Sequence, residues 1–260
     1  MIYRSDDRRI YDDLMASARR EWGMVKTAGA LMLNVGKYFL GFSYVADTLE
    51  TDGEETLVIN LREFDCFTFV ENVVALARQV KEGKYAFEDY GAALERIRYR
   101  KGILKGSTSR LHYFSDWLCD NEQKGIVKDI TAEIGGKPYL KEINFMTAHR
   151  GNYPGLNNDE AYRKMRVIEK RLSGRSLYHI QKAGLKQFEN AIENGDLIAA
   201  ATGIEGLDVS HVGLAVRVRG RIHFLHASEV EKKVVISDAT LYQYLSRRKA
   251  MTGIIVGRVT

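Results

Sequence analysis

Cysteine and proline are scarce in this chain: two of each among 260 residues. Two cysteines cannot build a disulfide framework or, alone, a four-ligand zinc site, so Cys66 and Cys119 each need their own explanation. No linker rich in Pro, Gly or Ser divides the chain, and no repeat or low-complexity tract is present. One domain over residues 1–260 is the simplest organisation. Long apolar runs are missing too. The most apolar early stretch, Ala28 to Tyr44, is interrupted by Asn34, Gly36, Lys37 and Gly41, short of the roughly 18 apolar residues that a membrane span needs. The charged start, Ser5 to Arg20, shows no secretory signal; a cytoplasmic protein and one whose leader has been removed both fit it. Charge of one sign is lacking as well: 39 Lys+Arg stand against 34 Asp+Glu, a net +5. With 45% hydrophobic residues, disorder is excluded as the main theme.

What is present falls into two regimes. Ile10, Leu14, Met15 and Ala18 recur at helical spacing, and a second helix is expected from near Met24. Thr56 to Leu61 reads as a short buried strand. Phe69, Val70, Val73, Val74, Ala77 and Val80 then form one helical stripe, with Asp65 as its natural N-cap. Further helices are expected over Phe87 to Tyr99, Ser109 to Asn121 and Asp159 to Leu172. From Gly195 the period changes. Leu197 to Ala201, His211 to Val218, Ile222 to Ala227, Lys233 to Ile236 and Gly253 to Val259 read as strands of an antiparallel sheet. Helices first and sheet last means α+β.

Cys66 stands in the first turn of the Asp65-capped helix, where the dipole and unpaired N–H groups favour a thiolate nucleophile. The plainer reading is a small buried apolar residue beside Phe64, Phe67 and Phe69. Cys119, beside Trp117 and Leu118, is read as packing alone. A nucleophilic thiol needs a base and a group to orient that base. If Arg219-Gly220 is a two-residue turn, Gly213 faces His226, and His211 shares that face within diagonal reach of His226, while His223 points to the other face. Gly213 and Ala215 on the same face are small enough to admit a helix, the Cys66 helix being the obvious candidate. The constellation is Cys66 as nucleophile, His211 as base and His226 as orienter. A zinc site fares worse: His223 and His226 splay to opposite faces, and no HExxH or Cys pair accompanies them.

Asp65-Cys66-Phe67-Thr68-Phe69-Val70, Gly195-Asp196-Leu197, Ser210-His211-Val212-Gly213 and Phe224-Leu225-His226-Ala227-Ser228 resemble, in order, the signatures of the NlpC-type papain-like cell-wall peptidases. That family usually has a small Ser-Gly pair after the Cys, where this chain has Phe67-Thr68. The departure points to a narrower relative: Asp65 to Glu71, Ser109 to Trp117, Tyr153-Pro154 and Gly206 to His211 resemble the N-acetylmuramoyl-L-alanine amidase-like branch, from about Gly36 to the C-terminus. The resemblance implies a papain-like NlpC core with extra helices, a cell-envelope location and no cofactor or metal. It implies hydrolysis of the amide between the muramic acid lactyl group and L-Ala in peptidoglycan fragments, during turnover or recycling. By it, Cys66, His211 and His226 match the catalytic Cys, His and third polar residue.

Candidate substrate contacts are Asp65, Arg110, His112, Tyr113, Tyr153 and Ser210. An Arg beside two polar aromatics suits carboxylate and sugar binding, although Tyr113, Phe114 and Trp117 read equally well as packing. The basic run Arg96, Arg98, Arg100, Lys101, Lys105 and Arg110 lacks any nucleic-acid-binding motif and reads as a solvated face. Gly102 to Thr108 lacks the spacing and Lys of a phosphate loop. Three other readings stay open: a stem-peptide endopeptidase, a transglutaminase-like or acetyltransferase-like thiol enzyme, and a catalytically silent muropeptide-binding module.

Overall fold

Asp65 decides where the central helix starts. In the computed structural model, which describes residues 1–23, 25, 27–51 and 53–260, its carboxylate accepts from the Phe67 and Thr68 N–H groups at 2.8 and 2.7 Å. The Thr68 hydroxyl returns the favour to the Asp65 N–H at 3.0 Å, which closes a reciprocal cap. Among the described residues the α-helices, in chain order, are α1 (Ser5–Glu21), α2 (Ala28–Tyr38), α3 (Cys66–Lys81), α4 (Phe87–Arg98), α5 (Phe114–Gln123), α6 (Phe145–Ala148), α7 (Asp159–Ser173), α8 (Leu185–Phe188) and α9 (Leu241–Ser246). The strands are β1 (Ser43–Tyr44), β2 (Glu63–Phe64), β3 (Val127–Asp129), β4 (Lys137–Tyr139), β5 (Leu177–Gln181), β6 (Leu197–Thr202), β7 (Val209–Val218), β8 (Arg221–Ser228), β9 (Lys233–Thr240) and β10 (Met251–Val259).

These strands form one sheet in the order β2-β1-β9-β8-β7-β6-β10-β5-β4, with β3 on β10. Its pairs are antiparallel except β1 with β2. The architecture is α+β, as expected. Every strand expected after Gly195 is present, and β7, β9 and β10 run longer than their apolar runs suggested.

The alternating pattern divides the sheet residues between two apolar layers. Leu197, Ala199, Val212, Leu214 and Leu225 join the α1 to α5 layer. Ile198, Ala200, Ala215, Ile222 and Phe224 join α9 on the other side. Helix α3 is buried on almost all sides, and most of its buried polar groups find partners inside the protein, Gln79 Oε1 being an exception. Gln79 donates to the Tyr11 hydroxyl and the Ala86 carbonyl, and Asn72 bonds the Thr68 carbonyl and Tyr90. Glu71 takes the Arg98 Nε at 2.7 Å, and Arg98 also donates to the Val58 carbonyl at 2.7 Å.

That last bond bears on a correction. Thr56 to Leu61 is buried as expected but is not a strand; only Val58 bridges, to Ile2. Side chains take its backbone groups instead: Arg98 holds the Val58 carbonyl and Asp7 holds the Leu61 N–H at 2.8 Å. A second correction concerns Ser109 to Tyr113, which precede α5 rather than open it. The Arg110 backbone bridges to Tyr99, and the Leu111 N–H donates to the Arg98 carbonyl, so the helix cannot start before Phe114. The expected start near Met24 lies outside the described residues; α2 opens at Ala28, capped by Thr27. The basic run is a solvated face only in part: Arg96, Lys101 and Lys105 are exposed, while Arg98, Arg100 and Arg110 pair with Glu71, Asp116 and Glu50.

Removing one partner of a buried pair leaves an uncompensated charge, while removing both does not. Arg98→Met should therefore cost about 3–5 kcal/mol in urea unfolding. Adding Glu71→Leu should restore much of that loss; equal stabilities for the single and double variants would show that the pair does not hold α3 to α4.

Candidate active site

The two-residue turn expected between β7 and β8 is there. Arg219 and Gly220 both have positive φ, 49° and 81°, as a tight hairpin of this hand requires. Val218 pairs with Arg221 and Leu214 with Leu225. That register carries His211 and His226 to one face, and His211 Nε2 lies 2.7 Å from His226 Nδ1. The rings meet edge to face, 4.8 Å between centroids. His223 turns elsewhere, as expected, and its Nδ1 bonds the Ser237 carbonyl at 2.8 Å. A bulge shapes the approach: Ala200 pairs with His211 but Ala201 pairs with Val209, which leaves Ser210 extra and re-aims the strand at the base.

Cys66 opens α3 and packs, partly exposed, against the α1 to α5 layer. The backbone N–H groups of Val212 and Cys66 itself face its sulfur and favour the thiolate, yet the net effect runs the other way. Burial first, and the Asp65 carboxylate second, push the thiol up to about 12. This corrects the expected thiolate. The helix terminus does act on the sulfur, but desolvation of a charged form outweighs a partial dipole. The imidazoles are displaced in the same sense, toward neutrality. Burial, then His226, then Arg248 bring His211 down to about 3; burial, then Arg248, bring His226 down to about 4. The resting site is a neutral thiol beside a neutral imidazole pair. No hydrogen bond joins that thiol to His211 among the described residues.

The helix does not approach over Gly213 and Ala215, a further correction. Those two belong to the face that carries Phe224 and α9, and a Cβ on Gly213 would meet Phe224 and His226 at 2.8 Å. The small residue at 213 makes room for these rings. Helix α3 instead lies on the Leu214 and Leu225 face, where Gly36 of α2 lets Leu214, Leu225 and Phe69 close in. The Val212 N–H, one residue after His211 in β7, faces the Cys66 sulfur.

A cleft of about 390 Å³ is lined by Asp65, Arg110, His112 and Tyr153, together with Glu50 and Asn152; it takes in Asp65 and Phe67, the neighbours of Cys66 in sequence, but not Cys66, His211 or His226. Four of the six expected substrate contacts therefore share one cavity. Arg110 Nη2 holds the exposed Glu50 at 2.6 Å, while its Nε, without a hydrogen-bond partner, faces the mostly buried Glu55 carboxylate at 3.6 Å. His112 Nε2 bonds the Ser107 carbonyl at 2.9 Å, and burial, followed by the nearby Arg110, brings its pKa down to about 3. The other two fall outside the cavity. Tyr113 is a buried linchpin whose hydroxyl donates to Glu169 at 2.7 Å and accepts from the Met146 N–H at 2.9 Å. Ser210 Oγ is buried without a partner. Cys119 is partly exposed on α5, with the Gln123 amide 3.6 Å from its sulfur.

Tyr244 and Arg248, packed on the histidines, escaped the sequence reading, because nothing local marks a tyrosine and an arginine after a predicted strand as neighbours of His211.

A family model described as AmiA-like, N-acetylmuramoyl-L-alanine amidase-like, matches residues 34–254. An N-acetylmuramoyl-L-alanine amidase of Bacteroides uniformis is similar in structure, with a TM-score of 0.86 and 39% identity over 90% of this chain and 99% of that one. A structure from Bacteroides fragilis, described as a candidate xylanase, gives 0.82 and 40% over 87% and 99%. A Legionella pneumophila protein gives 0.70 at 21% identity over 97% and 96%, a likeness of fold alone. Comparison with curated proteins found no match.

The histidine pair carries a pH dependence of known sign. Both groups have folded pKa values below the unfolded value near 6.5, so the unfolded chain binds more protons at acidic pH and stability falls with pH through that window. Between pH 7 and 5 the wild type should lose on the order of 4 kcal/mol more than the His211→Gln, His226→Gln double variant in urea titrations. Parallel losses in the two proteins would contradict the neutral buried pair.

Proposed function

This chain belongs to the N-acetylmuramoyl-L-alanine amidase-like family, and we propose that within it the protein is a cysteine amidase on a papain-like, NlpC-type core, a single domain over residues 1–260. Its substrate is a peptidoglycan fragment, cut between the muramic acid lactyl carbonyl and the nitrogen of L-Ala in cell-wall turnover or recycling at the cell envelope. The observation that carries the reading is the 2.7 Å His211–His226 contact next to a helix-initial thiol.

His211 uses Nε2 toward His226, which leaves Nδ1 for the thiol. The neutral imidazole accepts the Cys66 proton as sulfur attacks the amide carbonyl, so proton transfer and attack are coupled and no thiolate need accumulate beforehand. The Cys66 N–H, at the helix start, donates to the oxyanion. Collapse breaks the C–N bond, and the proton on His211 goes to the departing L-Ala nitrogen. The muramyl group is left as a thioester on Cys66. A water molecule, deprotonated by His211, then cleaves that thioester and returns the thiol. His226 holds the ring so that Nδ1 keeps its lone pair toward the sulfur.

The cleft supports an anionic ligand. Arg110 keeps an ion pair with the mostly buried Glu55, and its other partner, Glu50, is 47% exposed, so a stem-peptide carboxylate can replace Glu50 on the guanidinium. His112, Tyr153 and Asn152 line the same space for amide or sugar groups. A glycosidase reading, prompted by the description of the B. fragilis neighbour, needs two carboxyl groups flanking the bond. Three of the four cleft carboxylates are already engaged: Asp65 caps α3, Glu71 pairs with Arg98 and Glu50 pairs with Arg110.

Digestion of defined muropeptides, followed by mass spectrometry, tests the reading. Release of intact stem peptide beginning at L-Ala is expected, with Cys66→Ala slower by at least about 10³-fold. Fragments cut inside the stem peptide would favour an endopeptidase. Turnover undiminished in Cys66→Ala, or none at all in the wild type, would overturn the cysteine amidase.

A further inference from the structure

The histidine pair is clasped by side chains that belong to neither the thiol helix nor the cleft. Phe224 stacks on His226 with 4.7 Å between centroids and meets His211 edge-on at 5.5 Å. Tyr244 of α9, 8% exposed, meets His226 edge-on at 5.3 Å and lies near-parallel to His211 at 6.2 Å. One helical turn further on, the Arg248 guanidinium carbon sits 3.6 Å from the Tyr244 ring centroid, and Arg248 Nη1 donates to the Tyr244 carbonyl at 3.0 Å. The i,i+4 spacing puts this cation over both the ring face and the last carbonyls of α9, two favourable sites for positive charge. Thr240 and Gln243 cap the N-terminus of α9 reciprocally and so fix where that helix begins.

We propose that Arg248, acting through Tyr244, is a positioning residue for the His211–His226 pair: stacked on the tyrosine ring, it holds that ring against both imidazoles. The inference rests on the reading of His211 as the general base.

Arg248 is the arginine or lysine that acts on both imidazoles, and it lowers both. The other groups packed around the pair act differently. From β8, His226 itself opposes a proton on His211, and the Ala227 carbonyl favours one on His226. From α3 come Cys66 and Asp65; Asp65 and Glu229 act on the thiol, and the thiol in turn acts on Tyr44 and Tyr244. Lys182 Nζ reaches the Arg248 carbonyl at 3.4 Å and supports the turn from behind. A cation beside the pair makes the imidazolium formed during attack a stronger acid. That is the property needed to hand the proton on to an amide's leaving nitrogen.

The test compares Arg248→Met, Arg248→Gln and Arg248→Lys in the full chain, with two readouts. Imidazole titration by NMR, without substrate, should show the His211 and His226 pKa values raised by about 0.5–1 unit in the Met and Gln variants and close to wild type in the Lys variant. The acid limb of kcat/KM on a muropeptide should move up by the same amount in the same two variants. Unchanged titration in both neutral variants, or an equal shift in Arg248→Lys, would overturn the proposal. The NMR arm decides it even if no muropeptide is cleaved, an outcome that would instead sink the amidase reading.

Discussion

The reciprocal cap between Asp65 and Thr68 is the interaction on which the site depends. It satisfies N–H groups that a buried helix cannot leave to water, and it makes Cys66 the first helical residue. Because α3 is buried on nearly all sides, its axis cannot drift, and the thiol is delivered to the Val212 N–H at the start of β7. The same carboxylate works against the sulfur's acidity. One group thus stabilises the scaffold and penalises the thiolate, and the chemistry must be arranged around that conflict.

The arrangement is a site of suppressed charges. Burial favours the neutral thiol and imidazoles, and on the proposed cysteine-amidase reading the proton moves only as the carbon–sulfur bond forms to a bound amide. Partial burial makes an ion pair at rest costly. On the proposed reading, the fold supplies position rather than a pre-ionised nucleophile, and the cleft that holds Arg110 supplies the recognition of charge.

Much of this was legible from the chain because it rests on local rules. The Asp65 cap, the α3 stripe and the β6 to β10 runs follow from residue type and period. Parity across the Arg219-Gly220 turn was enough to put His211 with His226. The rest depends on what packs where. Gly213 looked like room for a helix and is room for Phe224 and His226, since period 2 says which residues share a face but not which layer covers it. Thr56 to Leu61 has a strand's composition, yet Asp7 and Arg98, distant in the chain, take its backbone groups. Tyr113 sits in a family-like segment but is tied to Glu169 and Met146. The thiol's acidity was misjudged for the same reason: the dipole is readable from the cap, while burial is set by tertiary packing.

The central claim is that Cys66 carries the muramyl half of the substrate between two steps. Acid-quenching the protein during turnover of a defined muropeptide and weighing it intact tests this directly. The account predicts a single adduct with the mass of the muramyl acyl group, mapped to the peptide that contains Cys66. An adduct with the mass of a peptide acyl group, or an adduct on any other residue, would contradict it.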